Sequence, residues 1–297
     1  MTPETSTTTT SAAAPQVSPR LSLNSATVKR AGLPRVFEVA GEAGIGAVGL
    51  WREEVAEVGL DVAVKQLASS GLRFSSLCRG GFFTMPEGPE RRAALDDNRR
   101  AIDECAALAA AGAPGSAAVL VLVVGGMPAG SKDLPAARAA VADALAELAP
   151  YALEAGVTLA VEPLHPIHCA DRAVVSTLEQ ALDLAAPFDP RAVGVVVDTY
   201  HLWWDPRVAE GIARAGREGR IASFQLADAM VPIASDVLLN RHLPGHGVVD
   251  LAPLVEAVAA TGYTGDVEVE VFNADVWASD PLEVARATAT SVRHLAL

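Results

Sequence analysis

The stretch "VGVVVDTYHLWWDP", Val193 to Pro206, decides how the rest of the chain is read. Valine and glycine alone fill its first five positions, and then the run stops at Asp198. A continuous apolar run bounded this sharply reads as a strand buried on both faces, as in a parallel sheet covered by helices. A strand that only fills a core would close on a turn residue. This one closes on a carboxylate, with an imidazole, His201, three residues later and two tryptophans after that.

Seven other runs share the texture: residues 20–24, 46–51, 72–78, 117–125, 157–162, 220–226 and 266–272. Longer Ala/Leu/Arg/Glu segments fall between them, clearest at 90–113 and 135–156, with apolar residues at three- and four-residue intervals. Eight strand signals, each followed by a helix signal, define an α/β chain folded as a single (β/α)8 TIM barrel over 20–297. The competing doubly wound open sheet lacks a GxGxxG after its first strand.

Composition narrows the partners. The 297 residues are 51% hydrophobic and 20% charged, with a formal net charge of −13. Such a surface repels phosphate backbones, so nucleic acid is not expected. No run is apolar for long enough to span a bilayer, so no membrane is expected either. The 3 cysteines, Cys78, Cys105 and Cys169, show no CxxC pattern, which suggests neither a disulfide framework nor a thiolate zinc site. Reduced thiols in the cytoplasm are the plain reading. Residues 1–19 are Thr/Ser/Ala/Pro-rich with no basic start and no apolar segment, and read as a disordered tail rather than a secretory signal.

In a TIM barrel the chemistry sits at the C-terminal strand ends. Strand five ends at Glu162 and strand six at Asp198; strand seven carries Gln225 and strand eight Glu270. Three carboxylates converging in a low-dielectric mouth repel one another unless a cation neutralises them. The four oxygen donors are therefore expected to hold a divalent metal ion. An all-oxygen set favours Mn2+, Mg2+ or Co2+ over zinc. Glu268 shares a face with Glu270 by period-two alternation; Glu270 is preferred because it lies nearer the strand's C-terminal end.

These residues resemble the sugar phosphate isomerase/epimerase superfamily, the xylose isomerase-like barrels, from about residue 20 onward. Its members include ketose 3-epimerases, inosose isomerases and dehydratases, and 3-dehydroshikimate dehydratases. The strand-five Glu of that pattern matches Glu162. Its Asp-x-x-His matches Asp198 and His201, and its Glu after a Gly-Tyr-x-Gly turn matches Glu270 after "GYTG". The "PGHG" loop, Pro244 to Gly247, resembles the loop after strand seven, with His246 replacing its acid, and Gln225 stands where His is common. The resemblance implies a small polyol or keto-sugar substrate and homo-oligomers paired through rim loops.

Other residues carry two readings each. His201 either binds a substrate hydroxyl or shuttles a proton, or else stabilises its loop. His165, in "EPLHP", is a substrate or outer contact of the metal site, or structural; His168 reads as structural or exposed. Trp203, with Trp204, and Trp51 either wall a sugar ring or cap the core. Arg79 binds an oxygen-rich substrate or forms a surface ion pair, and Arg241 reaches an anionic group. No lysine lies at the ends of strands five to eight, which sets aside a Schiff-base aldolase.

The expected function is a metal-dependent isomerase or epimerase acting on a ketose, keto-cyclitol or related polyol through an enediolate, with Glu162 and Glu270 as proton carriers. The alternative is a lyase of the 3-dehydroshikimate or inosose dehydratase type, with His201 as the base. A barrel that binds a ligand without turnover is the third reading.

Overall fold

A computed structural model describes residues 17–297. The expected tail, apart from its last three residues, lies outside the described residues. The chain alternates strand and helix through β1 (Leu21–Asn24), β2 (Ala47–Trp51), β3 (Arg73–Gly81), β4 (Val119–Val123), β5 (Thr158–Val161), β6 (Val193–Asp198) and β7 (Ile221–Leu226). A two-stranded ribbon follows, β8 (Asp228–Ala229) and β9 (Arg241–His242), and then β10 (Val267–Val269). Eight strands close in the order β1-β10-β7-β6-β5-β4-β3-β2, every neighbouring pair parallel. This is the (β/α)8 barrel that the eight apolar runs predict. Seven of the eight signals contain a whole barrel strand, and β3 runs three residues past its signal to Gly81.

The helices form because their spacing gives each an apolar stripe. In the helix Leu134–Ala155, Val141, Leu145, Leu148 and Ala152 are buried at steps of three and four. Its N-terminus is capped by the Asp133 carboxylate, which accepts the Ala136 N–H at 2.9 Å. After β2, the helices Arg52–Val58 and Leu60–Ser70 are separated at Gly59, whose φ of 85° suits a residue without a Cβ.

Period-two alternation sorts the strand residues into two environments. On β6, Val193, Val195 and Val197 join the large core between barrel and helices, whereas Val196 packs inside the barrel with Cys78, Val119, Val121 and Ala160. Asp198 has the parity of Val196. On the same rule Glu162, Gln225, Glu268 and Glu270 all belong to the inner face, because Val161, Phe224, Leu226, Val267 and Val269 are in the outer core. Strand eight is shorter than its signal: the Glu270 N–H still bonds the Leu226 carbonyl at 3.2 Å, but the Val271 N–H then turns to the Thr27 hydroxyl at 3.0 Å. No helix among the described residues is long and apolar enough to cross a membrane.

Candidate active site

Asp198 has two tasks. As the N-cap of the one-turn helix Thr199–Leu202, its Oδ1 accepts the Tyr200 N–H at 2.8 Å. Its Oδ2 is left facing Arg241 Nη1 at 3.4 Å and His201 Nε2 at 3.9 Å. Because the helix begins at Asp198 itself, the residue three on turns back over the carboxylate. His201 is therefore fully buried beside the strand end rather than standing beyond it.

Arg241, at the start of β9, is 3% exposed and places its guanidinium at the centre of the site. Nη1 donates to Glu270 Oε2 at 2.9 Å, and Nη2 lies 3.0 Å from His201 Nε2. The rings of Tyr200 and Phe272 lie against the guanidinium, with centroids at 4.7 and 5.0 Å. Glu270 Oε1 accepts the Trp51 indole N–H at 3.0 Å. His201 Nδ1 accepts the His165 N–H at 3.2 Å. Arginine only donates, so both imidazole nitrogens of His201 face donors. Burial, and then the charge of Arg241, hold its pKa well below the ordinary histidine value.

The register puts Asp198 beside Gln225, and Gln225 beside Glu268. Glu268 occupies a layer below the site. Its carboxylate accepts from Asn24 at 2.6 Å, Ser75 at 2.5 Å, Ser76 at 2.9 Å and Gln225 Nε2 at 3.0 Å. Gly49 makes room for it, since a Cβ there would collide with the carboxylate. Glu270 stands one layer higher. Gln225 Oε1 is left buried, with no hydrogen-bond partner among the described residues. The Glu162 side chain, 4% exposed, makes no hydrogen bond among the described residues. Burial, followed by the charges of Asp198 and Glu270, pushes its pKa well above the usual carboxylate range. Burial also raises Asp198 and Glu270, with Arg241 opposing in each case.

One atom each from Glu162, Asp198 and His201 lie within 4.8 Å of one another. Three carboxylates, a neutral imidazole and an amide oxygen lacking a partner form a donor set that fits a hard divalent cation. The cavity above holds about 220 Å³, and its walls include Trp51, Arg79, Glu162, Arg241 and Glu270 of the candidates drawn from sequence. Arg79 pairs with Glu53 at 3.8 Å and lies over the Phe82 ring at 4.4 Å, while still facing the cavity. His165 and Trp203 line a neighbouring apolar cavity of about 140 Å³ instead. His168 is buried and edge-on to His201 at 5.7 Å. His246 stacks on His242 at 4.7 Å and does not line the carboxylate cavity.

Sequence reasoning passes over Tyr200, Phe272 and Glu54. The first two hold Arg241, and nothing in their spacing marks them. Glu54 lines the cavity from the first turn of the helix Arg52–Val58. The one available signal was its place just past the end of β2.

The barrel with its acidic strand ends defines a class, and comparison with known proteins agrees. Residues 37–295 match the xylose isomerase-like TIM barrel family, to which the chain belongs. Over 161 residues it is 38% identical to 3-dehydroshikimate dehydratase of Pseudomonas aeruginosa, covering 52% of this chain and 23% of that protein. It is 28% identical over 154 residues to inosose isomerase of Bacillus subtilis, covering 50% of this chain and 54% of the relative. The matches thus span from about a quarter to about half of these curated relatives. The crystal structure of protein SMc04130 from Sinorhizobium meliloti superposes with a TM-score of 0.86 at 44% identity, covering 93% of this chain and 98% of that one.

Proposed function

We propose that the chain is a divalent-metal-dependent enzyme that enolises a small polyhydroxylated ketone and then eliminates its β-hydroxyl as water. The observation that carries this is the donor set: Glu162, Asp198 and His201 bring ligand atoms within 4.8 Å of one another, Glu270 shares Arg241 with Asp198, and Gln225, beside Asp198 in register, keeps a buried Oε1 with no partner among the described residues. These four residues would hold the cation, with His201 beside them. A divalent ion, when bound, supplies Lewis-acid stabilisation of negative charge on a carbonyl oxygen.

The chain's own residues supply the rest. His201, kept neutral, accepts the proton next to the carbonyl at Nε2 in the tautomer that carries its ring hydrogen on Nδ1, which gives up the bond from the His165 N–H. Arg241, stacked on Tyr200 and Phe272, orients the oxygens of the substrate. Trp51 and Phe272 close an apolar wall against water. Sequence alone favours return of the proton, as in an isomerase or epimerase. Two things shift the reading to elimination. Arg79 and Arg172 face the cavity, each with its nearest carboxylate no closer than 3.8 Å, and suit a substrate carboxylate. The match to a dehydratase is also the stronger of the two in identity. The isomerase or epimerase reading keeps one observation, the raised pKa of both Glu162 and Glu270, which lets either carry a proton. A soluble, homo-oligomeric, cytoplasmic enzyme of small-molecule metabolism is part of this proposal.

The test is NMR in D2O on Mn2+-loaded protein with 3-dehydroshikimate and inosose as probes. Water loss supports the lyase. Solvent deuterium at one carbon without water loss supports the isomerase or epimerase. Metal-loaded protein that does neither with any keto-polyol supports a ligand-binding barrel.

A further inference from the structure

One acidic wall of the pocket takes no part in the steps proposed for His201 and Arg241. Glu54 lies one helical turn after Trp51 and lines the same cavity as Glu162, Glu270 and Arg241. It is 7% exposed. Its Oε2 is buried with no hydrogen-bond partner among the described residues. The Ser25 hydroxyl oxygen accepts the Trp51 N–H at 3.1 Å, so its own proton is free for Glu54. Lys29, just after the preceding 3-10 turn, favours its ionised form, whereas Glu53 and Glu57 of its own helix both disfavour a further negative charge.

Glu268 shows how this chain satisfies the oxygens of a buried carboxyl: four donors within 3.0 Å. Glu54 has nothing comparable. It also makes no cap for its helix, whose N-terminus has no side-chain cap bond. A buried carboxyl this poorly solvated is more stable neutral. Burial pushes its pKa up to about 7, against the weaker pull of Ser25 and Lys29. A structural carboxyl would cap the helix or pair with a cation; this one faces the cavity with a proton to give.

We propose that Glu54 is a further catalytic acid of this pocket, a neutral carboxyl that touches the substrate and hands its proton to the departing hydroxyl. The proposal rests on the elimination reading for the group it serves. In that step the C–O bond breaks and its electron pair leaves with oxygen. The oxygen takes the Glu54 proton and departs as water. The enolate electrons form the new C=C bond, the ketone is restored, and Glu54 is left a carboxylate, to be reprotonated from solvent.

Glu54→Gln separates the two proposals. With 3-dehydroshikimate and Mn2+ in D2O, the variant is expected to lose water roughly 10²–10⁴-fold more slowly than wild type. Exchange of the hydrogen next to the carbonyl is expected to continue. Equal loss of both rates, or of neither, overturns the proposal. Infrared difference spectra of wild type minus Glu54→Gln, near about pH 6, read the acid directly. A protonated-carboxyl band that belongs to Glu54 and shifts when 3-dehydroshikimate or inosose is added supports it. No such band, or a band that neither probe moves, overturns it. If wild type neither exchanges nor dehydrates any probe, the proposed function fails and the infrared result alone decides for Glu54.

Discussion

Arg241 Nη1 lies 2.9 Å from Glu270 Oε2 and 3.4 Å from Asp198 Oδ2, so one guanidinium compensates two of the carboxylates proposed to hold the metal. A divalent cation entering this site has to share those oxygens with Arg241 or displace it. The arginine thereby keeps the carboxylates assembled without metal and opposes the metal's arrival electrostatically.

Arg241→Met is expected to separate these effects. The metal-free variant should be less stable by about 3–5 kcal/mol, because two buried carboxylates lose their partner. Its affinity for Mn2+ should rise by roughly tenfold or more, since a pKa-scale change of one unit already equals about 1.4 kcal/mol. Thermal unfolding with chelator and calorimetric titration with Mn2+ read the two quantities. Mn2+ affinity that is unchanged or weaker would refute the competition.

Glu162→Gln and Asp198→Asn test the ligand set. Glu162 makes no hydrogen bond among the described residues, so its replacement should cost little fold stability while lowering Mn2+ affinity at least tenfold. Asp198→Asn keeps an oxygen for the Tyr200 N–H and should behave likewise. Elemental analysis and calorimetry measure the loss. Full metal content in both variants would remove the site.

His201 stands close enough to Glu162 and Asp198 to be either a ligand or a base. His201→Ala should cut turnover of the active probe roughly 10²–10⁴-fold while Mn2+ still binds, if the residue moves protons. His201→Gln should be as severe for proton transfer and milder for orientation alone. Loss of Mn2+ in both variants would instead make His201 a ligand. Wild-type rates in both would make it structural.

The barrel was legible because parallel strands buried on both faces produce apolar runs, and all eight runs survive as strands. Parity then brings Glu162, Asp198, Gln225 and Glu270 to one face, which strand-end reading could anticipate. Strand-end position already favours Glu270 over Glu268; the fold adds what occupies Glu268, namely Asn24, Ser75 and Ser76, which lie far away in sequence. Arg241 reads as a loop cation until the ribbon of β8 and β9 carries it inward between Tyr200 and Phe272. His165 and Trp203 follow strands five and six as a site residue would, yet their turns aim them at the neighbouring cavity. Such assignments depend on loop direction, which no strand or helix period encodes.

Glu54 also predicts how stability responds to pH. Its pKa is about 7 in the folded protein against an ordinary 4.5, with burial as the main cause. Between these values the folded protein holds a proton that the unfolded chain has released, so stability falls as pH rises. The contribution is fully present below about pH 4.5 and lost as pH passes about 7. Glu162, Asp198, Glu268 and Glu270 are raised as well and slope the same way, whereas His201, lowered by burial, slopes the opposite way. All of these are common to wild type and Glu54→Gln, so the difference between the two isolates one group. Wild type should lose up to about 3 kcal/mol relative to Glu54→Gln on going from about pH 4.5 to above 7. Urea unfolding of both proteins with chelator at each end of that window measures it. Parallel pH profiles would mean that Glu54 is ionised throughout, and that its proton is not available for the pocket.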